Sequence, residues 1–287
     1  MHCKPPLATY IALGYFAASL VFHSCRGNVK AYFNPPGYHL NNPYVITLPA
    51  ELNDISGIAY YAKDNSLFAE SDQKGGLYKI NLNKPTDIRK WKISHKRDYE
   101  DIALVDTAFY LLNNNGDLLS ASFSHDSLST HEFTFPENGK NEFETLYYDS
   151  SQHKLVMICK ECETDKKTEL TAYAFDPAQQ AYSAAFKIDV ANIAAMNSPQ
   201  TTRFKPSAAA INPATGQLYI LSSINKLLVA ADKNGAIKEI YNLDPAIFHK
   251  PEGIAFTANG SLFISNEAEG RQPATILYFQ NSKTNSK

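Results

Sequence analysis

With 287 residues, 44 % of them apolar and 20 % charged, the chain can bury a substantial core as one large domain or two ordinary ones, and it is too apolar for a disordered one. Its 17 Tyr and 16 Phe favour β-structure. A net charge of −2 leaves no field that would gather nucleic acid or an anionic membrane, so a charged partner must be met by a local patch.

The chain begins with a thin basic region at Lys4 and an uncharged run from Leu7 to Phe22, short for a membrane span and long enough for a signal segment. It closes on Phe22-His23-Ser24-Cys25, and a small residue before Cys looks like a bacterial lipoprotein cleavage site, with Cys25 acylated. Phe22 and His23 depart from that pattern, and plain secretion or an uncleaved anchor are the alternatives. The expected location is therefore the cell envelope, lipid-anchored or periplasmic, with residues 1–25 as signal and 26–42, rich in Pro, Gly and Asn, as a tether. Cys3 leaves with the signal, so Cys159 and Cys162 are the cysteines of the body. In an exported chain their spacing suits a local disulfide, two free thiols or a redox pair; no second Cys pair completes a zinc tetrad. Residues i and i+3 of a straight strand point to opposite faces, which opposes the bridge.

Beyond a lone strand at Tyr44 to Leu48, one pattern recurs. An apolar strand opens at Ser56, Glu100, Glu144, Ser207 and Glu252, and a return strand follows each. The spacings between these openings are 44, 44, 63 and 45 residues, and a period of about 40 to 50 with four short strands per unit marks a propeller blade. The long interval holds a short helix at Val190 to Met196. The last repeat offers three strands, ending at Thr275 to Phe279, and Tyr44 to Leu48 can supply the fourth, closing the ring and hiding a sheet edge. The expectation is an all-β, five-bladed propeller over residues 43–281 with a tail at 282–287. A six-bladed ring is the alternative if the long interval hides a blade.

Pro251-Glu252-Gly253-Ile254 with Ile264-Ser265-Asn266-Glu267, Lys205-Pro206-Ser207 with Leu218-Tyr219-Ile220-Leu221-Ser222-Ser223, and Asp98-Tyr99-Glu100-Asp101-Ile102-Ala103-Leu104 resemble the SdiA-regulated (YjiK-like) bacterial propeller family. The resemblance covers most of residues 44 to 280 and implies a cell-envelope propeller without an established reaction. The chain departs from the family at Asp101 and Thr145, where Gly is usual, and in its Cys-Lys-Glu-Cys hairpin.

In a propeller the first residues of the innermost strands ring one mouth of the central channel. Glu100, Glu144 and Glu252 should meet there, with Ser56, Ser207 and the return-strand ends at Asp72, Asn266 and Glu267. Three carboxylates around one opening repel unless compensated. A hard cation such as Ca²⁺, with the three Glu as metal ligands, is one candidate compensator. Basic loop residues are the other: His95, Lys96, Arg97, Lys140, Arg203, Lys205, His249 and Lys250. The Pro251-Glu252-Gly253 strand start is also similar to the metal-ligating Glu of gluconolactonase-type propellers. A purely structural role, with the Glu side chains tying neighbouring blades together, stands beside these readings.

No Gly-x-Ser-x-Gly elbow, phosphate loop or His-Glu-x-x-His is present. Ser56 as a nucleophile has no base fixed beside it. The expectation is a monomeric binding protein for an unidentified small molecule or protein, with a metal-dependent hydrolase or lactonase, or a scaffold with an inert mouth, as alternatives.

Overall fold

The computed structural model describes residues 32–71, 75–93, 98–124, 127–197 and 203–285. Cys25 and Asp72 lie outside them, as do His95, Lys96 and Arg97. Five four-stranded antiparallel sheets are strung along the chain. Blade 1 comprises β2 (Ile55–Tyr61), β3 (Ser66–Ser71), β4 (Gly76–Asn81) and β5 (Ile88–Lys92). Blade 2 comprises β6 (Tyr99–Val105), β7 (Ala108–Asn113), β8 (Leu118–Ser124) and β9 (Ser127–Phe133). Blade 3 comprises β10 (Asn141–Asp149), β11 (Lys154–Cys162), β12 (Glu169–Asp176) and β13 (Ala181–Asp189), followed by helix α1 (Val190–Asn197). Blade 4 comprises β14 (Ala208–Ile211), β15 (Leu218–Ser222), β16 (Leu227–Ala231) and β17 (Ile237–Asn242). Blade 5 comprises β18 (Pro251–Phe256), β19 (Leu262–Asn266) and β20 (Thr275–Phe279), and its outer strand is β1 (Tyr44–Thr47). The chain is a five-bladed β-propeller; the long interval before blade 4 carries α1 and no sixth sheet.

The ring closes as the strand count requires. Tyr44 pairs with Tyr278 and Thr47 with Thr275, antiparallel, so the first strand completes the last sheet. Each pair of neighbouring blades encloses its own apolar core, for example Phe68, Leu77, Phe109 and Leu111 between blades 1 and 2, or Tyr219, Leu228, Ile254 and Ile264 between blades 4 and 5. The second strands are buried on both faces, as in Ser66–Ser71 and Leu218–Ser222, which is why they read as continuous apolar runs. Outer strands such as Ser127–Phe133 are mostly exposed and polar.

The segment expected to be a tether is packed onto the body from Asn34 onward. Tyr38 and Leu40 are buried in the core shared by blades 4 and 5. The Tyr38 hydroxyl donates to the carbonyl of Gly260 at 2.5 Å and accepts from Asn212 Nδ2 at 2.8 Å. The amide of Ser282 donates to the carbonyl of Gly37 at 2.9 Å, so the start of the C-terminal tail rests on the same segment. Two buried apolar side chains outweigh the local Pro and Gly, and tertiary contact orders what composition alone would leave loose.

Side chains stitch the blades around the axis. Asp101 Oδ2 accepts the amide of Leu146 at 2.7 Å, tying blade 2 to blade 3. Ser207 Oγ donates to the carbonyl of Pro251 at 2.9 Å, and Ser265 Oγ to that of Ser56 at 2.8 Å, tying blade 4 to blade 5 and blade 5 to blade 1. Thr145, the other departure from the family pattern, binds its own return strand, accepting the amide of Ile158 at 2.8 Å. Replacing Asp101 by Ala leaves the buried amide of Leu146 without an acceptor, which should cost about 1–3 kcal/mol. A thermal melt should show a drop of several degrees, and an unchanged midpoint would mean that this bond does not hold the ring.

Candidate functional site

The five innermost strands, β2, β6, β10, β14 and β18, pack side by side around the axis, and their first residues share one mouth. The register shows how the acidic side chains are aimed there. In blade 2, Tyr99 pairs with Asn113 and Asp101 with Leu112, so Glu100 is an extra residue in the ladder. Glu144 is skipped in the same way between Phe143 and Thr145, and Glu252 between Pro251 and Gly253. In blade 1 the irregularity spans Ser56 and Gly57. Four of the five opening residues therefore sit on a β-bulge, Ser207 of the regular blade 4 ladder being the exception; a bulge breaks the in–out alternation and re-aims one side chain, a device common beside functional sites.

The result is a cavity of about 510 Å³ at the mouth. Ser56, Glu100, Glu144, Ser207, Glu252, Lys205, Lys250 and Glu267, all expected there, line it. Lys160, Lys226, Ser223, Ile224 and Glu269 complete the wall. Asn266 does not line it. It is fully buried at the end of β19, with Nδ2 donating to the carbonyl of Ile247 at 2.9 Å and to Thr275 Oγ1 at 3.2 Å, so its amide supports the sheet behind the mouth. Among the loop bases expected to compensate the carboxylates, Lys205 and Lys250 do so, whereas Lys140 and Arg203 lie outside the lining and His249 contributes its carbonyl from behind.

Lys160 reaches the mouth through another bulge. On β11, Glu161 pairs with Glu142 and Cys159 with Phe143, leaving Lys160 as the extra residue. The same bulge resets the alternation between Cys159 and Cys162, which form a disulfide with Cα atoms 5.9 Å apart. The objection from straight-strand geometry falls because this strand is not straight. Lys160 ion-pairs with Glu144 and, at 2.8 Å, with Glu142. Burial pulls the Lys160 ammonium down, but the two carboxylates outweigh it and hold its pKa above the ordinary value.

Burial is the main force on the acids. It pushes Glu144 up against the pull of Lys160. It pushes Glu252 up to about 8, helped by the nearby Glu144 and Glu267 and opposed by Lys250 and by the Ser223 hydroxyl. Glu252 therefore holds its proton at neutral pH. Lys250 pairs with Glu267 at 2.5 Å, which outweighs burial and raises its pKa. With Glu252 protonated, four carboxylates face four ammonium groups, and the wall is close to neutral.

A family model described as SdiA-regulated matches residues 36–270. The chain belongs to the SdiA-regulated family. None of the curated proteins matches it. Among solved structures this SdiA-regulated propeller is similar to a glutaminyl cyclase from Myxococcus xanthus, at 15 % identity and a TM-score of 0.57, covering 83 % of this chain and 94 % of that one. It is similar to a PQQ-bound aldose sugar dehydrogenase from Streptomyces coelicolor, at 12 % identity and a TM-score of 0.51, covering 86 % and 99 %. It is also similar to regucalcin, a calcium-binding protein from Agrobacterium tumefaciens, at 10 % identity and a TM-score of 0.51, covering 85 % and 95 %. At such identities the likeness shows a shared fold, on which unrelated chemistries are built.

Proposed function

We propose that this SdiA-regulated chain is a cell-envelope propeller that binds a small charged ligand in the channel mouth. The observation that carries the reading is the wall itself: acidic side chains on β-bulges of three blades and lysines from blades 3, 4 and 5 converge on one cavity. Its size is that of ordinary small-molecule sites, about 300–1,000 Å³. The ring-tying role is carried by Asp101, Ser207 and Ser265, which leaves Glu100, Glu144 and Glu252 on the cavity side. Envelope location is supported by the apolar run from Leu7 to Phe22 before Ser24-Cys25, which would anchor the chain by lipid, and by the Cys159–Cys162 disulfide, which suits an oxidising compartment.

Calcium, which the regucalcin likeness brings to mind, fits the donor set poorly. Lys160 already sits on Glu144, and Glu252 is protonated. Among the described residues, the carboxylate oxygens of Glu100, Glu144 and Glu252 do not come within 4.8 Å of one another as a group, as one shared ion would need. Millimolar Ca²⁺ should leave the melting temperature unchanged. A rise that disappears in Glu252→Gln would replace this reading by the metal site. A hydrolase reading draws on one observation, a carboxylic acid held protonated near neutral pH as a general acid must be. It requires turnover of esters or lactones that is lost in Glu252→Gln.

The binding reading is tested by melting the protein against a panel of small charged metabolites. A compound that raises the midpoint should lose its effect when Lys205 and Lys250 are both changed to Glu. A panel without a hit, or hits indifferent to the reversed charges, would overturn it.

A further inference from the structure

Four ammonium groups line the mouth, and three are already answered by carboxylates: Lys160 by Glu142 and Glu144, Lys205 by Glu161 and Lys250 by Glu267. Lys226 differs. Its Nζ donates to the carbonyl of His249, a neutral acceptor, and among the described residues it forms no ion pair. Glu269 and Glu252 lie near enough to attract it, yet burial lowers its pKa overall. The fold thus desolvates a charge and does not neutralise it.

Lys226 has φ +52°, in the turn joining β15 to β16, a left-handed conformation that suits Asn or Gly better than Lys. Asn65, Asp106, His153 and Gln180 have the same conformation in other hairpin turns, so it belongs to the turn. Beside Lys226 in the same turn, Ile224 is 69 % exposed at the rim, an apolar side chain on an otherwise polar wall. Ser223, from the same turn, bonds the carboxyl of Glu252.

Resting on the mouth as the binding site proposed above, we infer that Lys226 receives the carboxylate of an organic monoanion whose apolar part lies against Ile224. A single ammonium matches a single carboxylate. A second negative charge would face Glu267 and Glu269 in the same cavity, which disfavours phosphates and dicarboxylates. The protonated carboxyl of Glu252 is a donor to an incoming carboxylate and offers little to a cation at neutral pH.

The test is a charge series on one skeleton, isovalerate, isovaleramide and isopentylamine, with inorganic phosphate as the polyanion, titrated into the full chain and followed by thermal shift. Isovalerate should raise the midpoint and the other three should not. Lys226→Asn, which relaxes the left-handed turn while removing the ammonium, should weaken isovalerate by at least about tenfold. Lys226→Arg should retain most of the binding. Preference for the amine or for phosphate, or isovalerate binding untouched by Lys226→Asn, overturns the assignment and leaves the mouth as a binding site for other chemistry. Silence from all four probes beside a hit in the wider metabolite panel overturns it as well. Silence in both experiments removes the binding reading together with this one.

Discussion

Changing Gly57 to Ala should destabilise the propeller by about 3 kcal/mol or more, at or beyond the upper end of ordinary overpacking costs. A Cβ at this position would lie 2.6 Å from the Cα of Asp101 and 2.7 Å from the amide nitrogen of Ile102, and would also strike the Asp101 carboxylate. These are largely backbone atoms of the neighbouring innermost strand, so no rotamer change makes room. Relief requires blades 1 and 2 to separate at the axis, where the bond from Asp101 to Leu146 passes the displacement on to blade 3. For a chain of this size the loss corresponds to a fall in melting temperature of about 6–12 °C. Gly216→Ala is the control. Gly216 has φ +70° with nothing within 4 Å of the added carbon, so it should lose only about 1 kcal/mol, through backbone strain. Equal losses in the two variants would mean that the innermost strands are not in contact at Gly57.

Gly57 also shows why the ring was legible before its site. It follows Ser56, as Asp101 follows Glu100 and Gly253 follows Glu252, and this recurrence at a steady period exposes the blades to anyone counting along the chain. Strand closure followed from the same count, because three strands at the C-terminal end need a fourth. The bulges were invisible. A bulge exists only between two strands in register, and in blades 2 and 3 neither partner carries a glycine or other local signal for it. The lysines were missed for a related reason. Lys160 and Lys226 do not recur from blade to blade, and a solitary Lys between polar residues looks like an ordinary solvated side chain. Asn266 was misplaced because the end of a return strand was taken to face the opening, whereas its amide bonds Ile247 and Thr275. Tyr38 and Leu40 sit among Pro, Gly and Asn, and only the partners 222 and 174 positions away, reached through Tyr38, reveal that they are core.

Replacing Glu252 by Gln should make the protein more stable than the wild type above neutral pH and leave it nearly unchanged near pH 4. In the folded protein the carboxyl keeps its proton up to about 8, against an ordinary value of 4.5. Between these two values the folded state binds a proton that the unfolded chain has released, so wild-type stability falls as the pH rises through this window. The loss begins near pH 4.5 and is complete above pH 8. The full displacement corresponds to about 5 kcal/mol at most. Because Glu252 keeps an edge on the solvent-filled mouth, roughly half of that is the working expectation. Gln preserves the shape and a hydrogen-bonding carbonyl for Ser223 and does not titrate, so its stability should stay flat with respect to this group. Urea melts of both proteins at pH 4, 6, 8 and 9 measure the gap, which should open through the window and stop widening above pH 8. A gap that is constant with pH would show that Glu252 is ionised throughout. The mouth would then hold five carboxylates against four ammonium groups, and Glu252 itself, in place of a ligand carboxylate, would answer the charge of Lys226.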